Sequence, residues 1–564
     1  MILRFLGAAR EVTGSRFLLE ACGKHMLIDY GMEQGVNIYE NAPLPVPAGG
    51  IDAVFLTHAH IDHSGWLPLL YKQGFRGSVY ATEATMELCR IMLLDSAHIQ
   101  EMEAEEVNRK AQRSGKPLRD PLYTQQDADG VMKLFVPRPQ EEATRVFEGV
   151  SVRFVDAGHM LGSASVEITV TEGDAADRLV FSGDIGNMGQ PLLKDPQYLT
   201  DGDYVIMEST YGDRSHGPLP DYLGNLAEVL RETFDRGGNV VIPSFAVGRT
   251  QEILYFIRTL KEEGMVKGHD GFPVYVDSPL AIEATHVFHE EMPANADEET
   301  LALLRRGINP ISFADLKVAV SAEESKLING DESPKVIVSA SGMCDAGRVR
   351  HHLKHNLWRP ECTVLFVGYQ SKGTLGRSLV DGADHVKLFG EDIQVRASIR
   401  QMAGISGHAD QDGLIRWIRS FQKAPKHVFV VHGEDNVASL FAQRIQQELQ
   451  WPANAPYNGE SWDLTRGVLL DEGNRRKLEK PIPKAEEAAA AGTPLESPKD
   501  VAFVPLVEKK RKQRDPFEPH DAYAQLQLAG RQLSALIGSM EGRSHKDADA
   551  LAKQIRALCK RFGK

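Results

Sequence analysis

Thr57-His58-Ala59-His60-Ile61-Asp62-His63-Ser64-Gly65 is the stretch from which the rest of this 564-residue chain is read. It follows an apolar run, Ile51-Asp52-Ala53-Val54-Phe55-Leu56, that reads as a buried strand, and precedes Trp66-Leu67-Pro68-Leu69-Leu70, which reads as the first turns of a helix. Three imidazoles and a carboxylate are therefore crowded onto a tight turn at a strand end. A neutral imidazole offers a lone pair to a borderline-soft metal, and a carboxylate adds negative charge. His58 and His60, two apart on an extended segment, reach one ion from a single face. Asp62 and His63 turn the other way, which suits a second ion close by. A solvated loop that happens to be rich in histidine is the bland alternative; it does not explain why the donors follow a hydrophobic strand directly.

The length implies more than one domain. A composition of 42% hydrophobic and 25% charged residues is that of a soluble globular protein. No window has the apolar length of a membrane span, so no membrane partner is expected. Met1-Ile2-Leu3-Arg4-Phe5-Leu6-Gly7 reads as a strand and lacks the layout of a signal peptide. Cys22, Cys89, Cys344, Cys362 and Cys559 are scattered and never spaced Cys-x-x-Cys. That argues against a disulfide framework and a thiolate zinc site, and fits a reducing cytoplasm. The net charge of −14 does not advertise a nucleic-acid binder, so a polyanionic substrate would have to be drawn by a local patch and by metal ions.

Working outward, residues 1–30 alternate short apolar runs with turns, a strand meander ending in Asp29, which is placed to orient the histidine loop by a hydrogen bond. From Thr82 to about Leu134 the pattern is helical, and the charged run 101–113 reads as a solvated helix face carrying a surface His98. Strands return at 150–156 and 166–170, with His159 on the glycine-flanked loop between them. Asp184 follows the run Leu179-Val180-Phe181, and its two oxygens suit it to bridge two cations. Glu208 follows Tyr204-Val205-Ile206-Met207. Successive strands thus each finish in a group with chemistry in it, a recurrence that core packing does not explain.

In this order, Asp29, His58-x-His60-x-Asp62-His63, His159 and Asp184 resemble the metallo-β-lactamase superfamily, and Glu208-Ser-Thr-Tyr-Gly resembles the acidic motif of its β-CASP branch, whose members act on nucleic acids. The resemblance covers roughly residues 1–470. It implies an α/β fold: a metallo-β-lactamase αββα sandwich in two parts, residues 1–210 and 381–470, with an inserted α/β β-CASP cap built on a parallel sheet over 211–380. Residues 471–519 read as a linker and 520–564 as a helical C-terminal extension.

From Asp221 strands alternate with helices, the mark of a parallel sheet whose binding edge lies where the strands end. Ser244-Phe245-Ala246-Val247-Gly248-Arg249-Thr250, opening a helix, is a plausible phosphate cradle, although such loops often just turn a strand into a helix. Ser339, Ser341, Arg348, Gln370, Thr374 and Arg377, on the equivalent loops, complete the candidate RNA-phosphate set with Ser244 and Arg249. His351, His352 and His355 read as a solvent- or phosphate-facing patch. The runs 386–389 and 393–399 are expected to return the chain to the first domain. His408, after a glycine, and His432, ending a buried strand, match the two late β-CASP motifs within a segment resembling the family's RNA-specificity module. A histidine at the last motif favours RNA over DNA. Lys509-Lys510-Arg511-Lys512-Gln513-Arg514 could touch RNA or be a solvated linker. Amphipathic helices near 521–540 and 545–561 are expected to form a hairpin docking on the body or on a second subunit, so a homo-oligomer is among the expected partners.

By resemblance, two Zn²⁺ ions are the cofactors: one takes His58, His60, His159 and Asp184, the other Asp62, His63, Asp184 and His432. His408 is then the candidate general acid and Glu208 its orienting partner, so the candidate catalytic residues are Asp62, Asp184, Glu208 and His408. The implied activity is a zinc-dependent ribonuclease, endonuclease or exonuclease according to how open the channel between the domains is. A small-molecule metallo-hydrolase such as a thioesterase or lactonase, and a non-catalytic RNA-binding subunit, are the alternatives.

Overall fold

The computed structural model describes residues 1–34, 38–173, 175–217, 221–370, 373–402 and 406–478. The predicted linker and basic cluster beyond 478, and both predicted C-terminal helices, lie outside the described residues.

Alternating apolar positions along the first strands give two opposed faces, and each face finds a partner layer. Among the described residues, one sheet runs in the order Val468–Glu472, Glu460–Asp463, Ile2–Gly7, Arg16–Ala21, Lys24–Tyr30, Ala53–Phe55, Ser78–Ala81, Phe135–Pro137. The second runs Ala453–Asn454, His427–Val430, Tyr204–Met207, Ala175–Phe181, Ala164–Glu172, Val150–Asp156, Thr144–Phe147. They pack face to face through Phe5, Phe17, Ile28 and Phe55 on one side and Phe154, Ile168, Phe181 and Phe429 on the other. Helices cover the outer faces. Leu88 and Leu93 of the long helix Glu83–Arg113 pack over the first sheet. Trp417 and Ile418 of Gln411–Arg419 and Phe441 of Asp435–Leu449 pack over the second. This is the expected αββα sandwich. The strand at Val468–Glu472 carries it slightly past the predicted boundary at 470.

The third sheet is the expected parallel one, in the order Leu316–Val318, Val274–Val276, Val336–Ser339, Val240–Pro243, Thr363–Phe366, Ser398–Gln401. All its neighbouring pairs are parallel. Its central strands are buried on both faces, between Leu226, Leu230, Ile253 and Ile257 on one side and Val349, Leu353 and Leu379 on the other. That two-sided burial explains why they read as continuous apolar runs rather than alternating ones.

One expectation is corrected here. The run at 393–399 does not lead straight back to the sandwich: Ser398–Gln401 pairs in register with Thr363–Phe366 as the edge strand of the cap sheet. His385–Leu388 and Glu391–Gln394 form a separate hairpin. Edge and hairpin strands half-exposed on both sides carry little one-sided pattern, so the sequence does not say which sheet they join.

Candidate metal centre

Every candidate donor lies just past the end of a sandwich strand. His58 and His60 follow Ala53–Phe55. His60 then caps a one-turn helix, Ile61–Ser64, that carries Asp62 and His63 round the turn. This is the local reason that the second pair faces away from the first. The turn is held by backbone: Ser15 N–H donates to Asp62 O at 2.8 Å and Met32 N–H to Ile61 O at 2.9 Å. Gly31 allows that approach, since a Cβ there would sit 1.6 Å from Asp62 O. His159, Asp184, Glu208 and His432 arrive from four further strand ends, and His408 from the segment before the helix Gln411–Arg419.

The donors converge in two groups. His58 Nε2 lies 3.1 Å from His60 Nδ1, which lies 3.2 Å from His159 Nε2. Asp184 Oδ2 is 3.4 Å from His58 Nε2 and 3.6 Å from His159 Nε2. Four ligands at zinc distances around a tetrahedral ion stand about 3.4 Å apart, so these separations are the edges of such a site. In the second group His63 Nε2 is 3.1 Å from His432 Nε2, and Asp184 Oδ1 is 3.3 and 3.5 Å from the two. Asp62 Oδ2 completes it, 3.6 Å from His432 Nε2. Asp184 offers one oxygen to each group. Its Oδ1 is buried with no hydrogen-bond partner, a costly arrangement for a carboxylate unless a cation occupies the space it faces. The donor set thus fits divalent cations of borderline softness, and metal binding follows from it.

Protonation agrees. Burial, helped by the neighbouring His58, pushes His60 down to about 3. Burial and nearby imidazoles also lower His58 and His159. All three present lone pairs at neutral pH, as ligands must. On His63 burial opposes charge, but Asp184 and Asp29 reverse it, and the imidazole is held well above its ordinary value.

The outer contacts set ring orientation. Asp29, buried and in the left-handed region at φ 57°, accepts from Thr57 N–H at 2.8 Å, from Thr57 Oγ1 at 2.9 Å and from His63 Nδ1 at 2.7 Å. That leaves His63 Nε2 facing the centre. Thr57 Oγ1 also lies 3.0 Å from His58 Nδ1, Thr210 Oγ1 lies 3.1 Å from His432 Nδ1, and His159 Nδ1 donates to Gly407 O at 2.9 Å. His432 itself has φ 48°. Thr57, Thr210 and the Gly407 carbonyl escape a reading of the sequence. The threonines flank motif residues, a weak signal, and a backbone carbonyl leaves none.

Beside the centre, Glu208 is fully buried; Oε1 accepts from Ile185 N–H at 2.6 Å and from His408 Nδ1 at 3.2 Å. Burial works against charge on His408, but Glu208, then Asp184 and Asp62, raise it to about 9. His408 is therefore an imidazolium at neutral pH, and Nε2 is the nitrogen not engaged by Glu208.

The cap residues are placed differently. Ser244 and Ser339 are buried, and Ser339 Oγ donates to Asp277 O at 2.7 Å. Arg249 pairs with Glu252, Arg348 binds Asp277 at 2.7 Å and the carbonyls of Ala319 and Val320, and Arg377 pairs with Asp381 at 2.8 Å. Gln370 is buried, donating to Gly342 O and Gly368 O, and Thr374 caps the helix Leu375–Val380. Ser341 is partly buried on the loop after Val336–Ser339. Of the histidine trio, His352 is buried on Asp277, His351 stacks on Phe389 and His355 is exposed, so the three do not face one point.

Comparison with known families agrees with the architecture. Residues 10–244 match the metallo-beta-lactamase superfamily, 250–379 the Beta-Casp domain, and 392–456 the Zn-dependent metallo-hydrolase RNA specificity domain. The chain is 39% identical to a ribonuclease of Thermus thermophilus over 448 residues, covering 78% of this chain and 96% of that protein. It is 31% identical to the transcription termination factor FttA of Methanosarcina mazei over 470 residues, 81% of this chain and 70% of that protein. The FttA of Methanocaldococcus jannaschii is 32% identical over 472 residues, 80% of this chain and 70% of that protein. Among the described residues no helix is long and apolar enough to cross a membrane.

Proposed function

The chain belongs to the β-CASP family of the metallo-β-lactamase superfamily, and from that membership we infer that it is a metal-dependent ribonuclease that hydrolyses RNA phosphodiester bonds. In this reading two Zn²⁺ ions are bound, one by His58, His60, His159 and Asp184, the other by Asp62, His63, Asp184 and His432. The observation that carries it is Asp184: one buried carboxylate with an oxygen in each of two imidazole clusters, its Oδ1 otherwise unpartnered. Bound there, the cations would activate the attacking water and neutralise charge on the phosphoryl oxygens.

The chain's own groups supply the rest. Asp29, Thr57, Thr210 and the Gly407 carbonyl fix the imidazoles so that their metal-facing nitrogens need no reorganisation. His408 is the general acid. Its Nδ1–H is spent on Glu208, so Nε2–H is the proton delivered to the leaving oxygen as the P–O bond breaks. Glu208 keeps that imidazole charged. Among the phosphate candidates Arg377 is the most exposed cap guanidinium, and so the one best placed to meet an RNA phosphate.

Incubating end-labelled RNA with the protein tests this. Cleavage abolished by a chelator and restored by Zn²⁺, with two zinc per chain by elemental analysis, is the expected result. A metal-replete protein that leaves RNA intact would sink it. Product lengths from the same gel report whether cutting is internal or from an end.

A further inference from the structure

His408 sits on the short segment that leads into the helix Gln411–Arg419, and its imidazole is useful only if the segment cannot turn. Three contacts hold it. Ala409 N–H donates to Ile185 O at 2.7 Å, tying the segment to the loop of Asp184. Asp410 accepts from Ser215 Oγ at 2.9 Å and from His216 N–H at 3.0 Å through one oxygen, and from Gly413 N–H at 2.9 Å through the other, which starts the helix Gln411–Arg419. The third contact is on His408 itself: His216 Nε2 lies 3.1 Å from the His408 carbonyl oxygen. A carbonyl only accepts, so this nitrogen carries the proton and the His216 tautomer is fixed. The His216 ring packs edge-on against Tyr211, centroids 4.6 Å apart, and the Arg214 guanidinium lies over the Tyr211 ring at 5.0 Å from its centroid.

Tyr211 to His216 directly follow Glu208-Ser209-Thr210. The strand end that supplies Glu208 to one side of the imidazole thus continues into a loop that clamps the backbone behind it. Side chain and main chain of His408 are both referred to one stretch of nine residues, 208–216, which is how a donor is held to a few tenths of an ångström.

We propose that His216 is a positioning residue for the reaction, its Nε2–H fixing the His408 carbonyl so that the imidazole stays aimed between Glu208 and the scissile bond. The inference rests on the reading of His408 as the general acid. The contacts of His216 are with Asp410, the His408 carbonyl and Tyr211, and it supplies no proton to the leaving group. Its contribution is orientation.

The test uses the full-length, zinc-loaded protein and two RNA oligonucleotides that differ in the leaving atom of the scissile bond, oxygen or sulfur. A thiolate, with a pKa of about 8.5, departs without help, so the sulfur substrate does not need the acid. Single-turnover cleavage is measured for His216→Phe and His216→Ala, which remove the donor with and without keeping ring volume, for His216→Gln, which restores an N–H, and for His408→Ala. The His216→Phe and His216→Ala rates on the oxygen substrate should fall about tenfold, the size of one lost hydrogen bond. On the sulfur substrate they should change less than about twofold, with zinc content and Tm preserved, and His216→Gln should regain most of the loss. Equal slowing of both substrates, no slowing of either, or failure of His216→Gln to recover would overturn the proposal. The control separates the two ideas: if His408→Ala slows both substrates equally, the acid assignment itself falls, whereas oxygen-selective loss in His408→Ala alone removes only the role of His216.

Discussion

Asp184 and Asp277 are both buried aspartates placed just past the end of a strand, one in the sandwich and one in the cap, and they differ in what surrounds them. Asp277 is closed. Its Oδ2 accepts from His352 Nε2 at 2.6 Å and Ser325 Oγ at 2.5 Å, its Oδ1 from Arg348 at 2.7 Å, and His352 Nδ1 in turn lies 2.8 Å from Asn329 Oδ1. Asp184 is open. His58, His63, His159 and His432 stand 3.3–3.6 Å from its oxygens, and Oδ1 has no donor. The same residue type at the same kind of position is a structural tie where every lone pair is used, and a candidate ligand where lone pairs face one another across a gap. Satisfaction of the polar atoms, more than residue identity, tells the two apart.

Substitutions at the two sites should therefore fail in different ways. Asp184→Ala should give the largest effect, releasing zinc from both groups and abolishing cleavage, read by elemental analysis and the RNA gel. If it still binds two ions, Asp184 is no bridge. His408→Ala should keep both metals and lose about 10²–10⁴-fold in turnover on ordinary RNA, the span of general acid catalysis; undiminished turnover removes it from the chemistry. Asp277→Ala leaves a buried imidazole without its acceptor and a guanidinium without its counter-charge, and should cost about 3–5 kcal/mol of stability in denaturant while zinc content holds. Metal loss at constant stability would reverse the contrast drawn above.

A subtler effect is expected in pH dependence. With burial opposing and Glu208 raising its pKa, His408 is a competent acid below that raised value and loses its proton as pH rises through it, so the alkaline limb of turnover should lie above the ordinary imidazole range. Burial lowers this group and Glu208 is the chief influence raising it, so Glu208→Gln should move the limb acidward by at least about one pH unit. An unmoved limb would mean another group titrates there. Smallest of all, Arg377→Ala should raise KM about two- to threefold with kcat unchanged, since an exposed guanidinium already paired with Asp381 adds little.

How much was legible beforehand differs in the same way between the two regions. The sandwich site was readable because its donors are rare residue types, placed at strand ends within fixed short spacings. The histidine loop follows a strand directly, and each later donor follows an apolar run. The cap loops carry common residues, and Ser244, Ser339, Arg249 and Arg348 look the same in a string of letters whether they face an anion or a neighbouring carboxylate. The run at 393–399 reads toward the sandwich although its end joins the cap sheet as Ser398–Gln401, because an edge strand can satisfy its few buried positions against either sheet.

By itself the sequence determined the residues able to ligate and the parallel cap sheet, because donor chemistry and strand–helix alternation are local properties of the chain, while the αββα architecture came through the resemblance its motifs carry. Only the tertiary structure decided which nitrogen faces which, that Asp184 divides its oxygens between two clusters, that Thr57 and Thr210 orient their rings, and that His216 grips the backbone of His408. Those facts depend on distances between segments up to several hundred residues apart, set by how sheets twist and pack and by loops whose register no local pattern records.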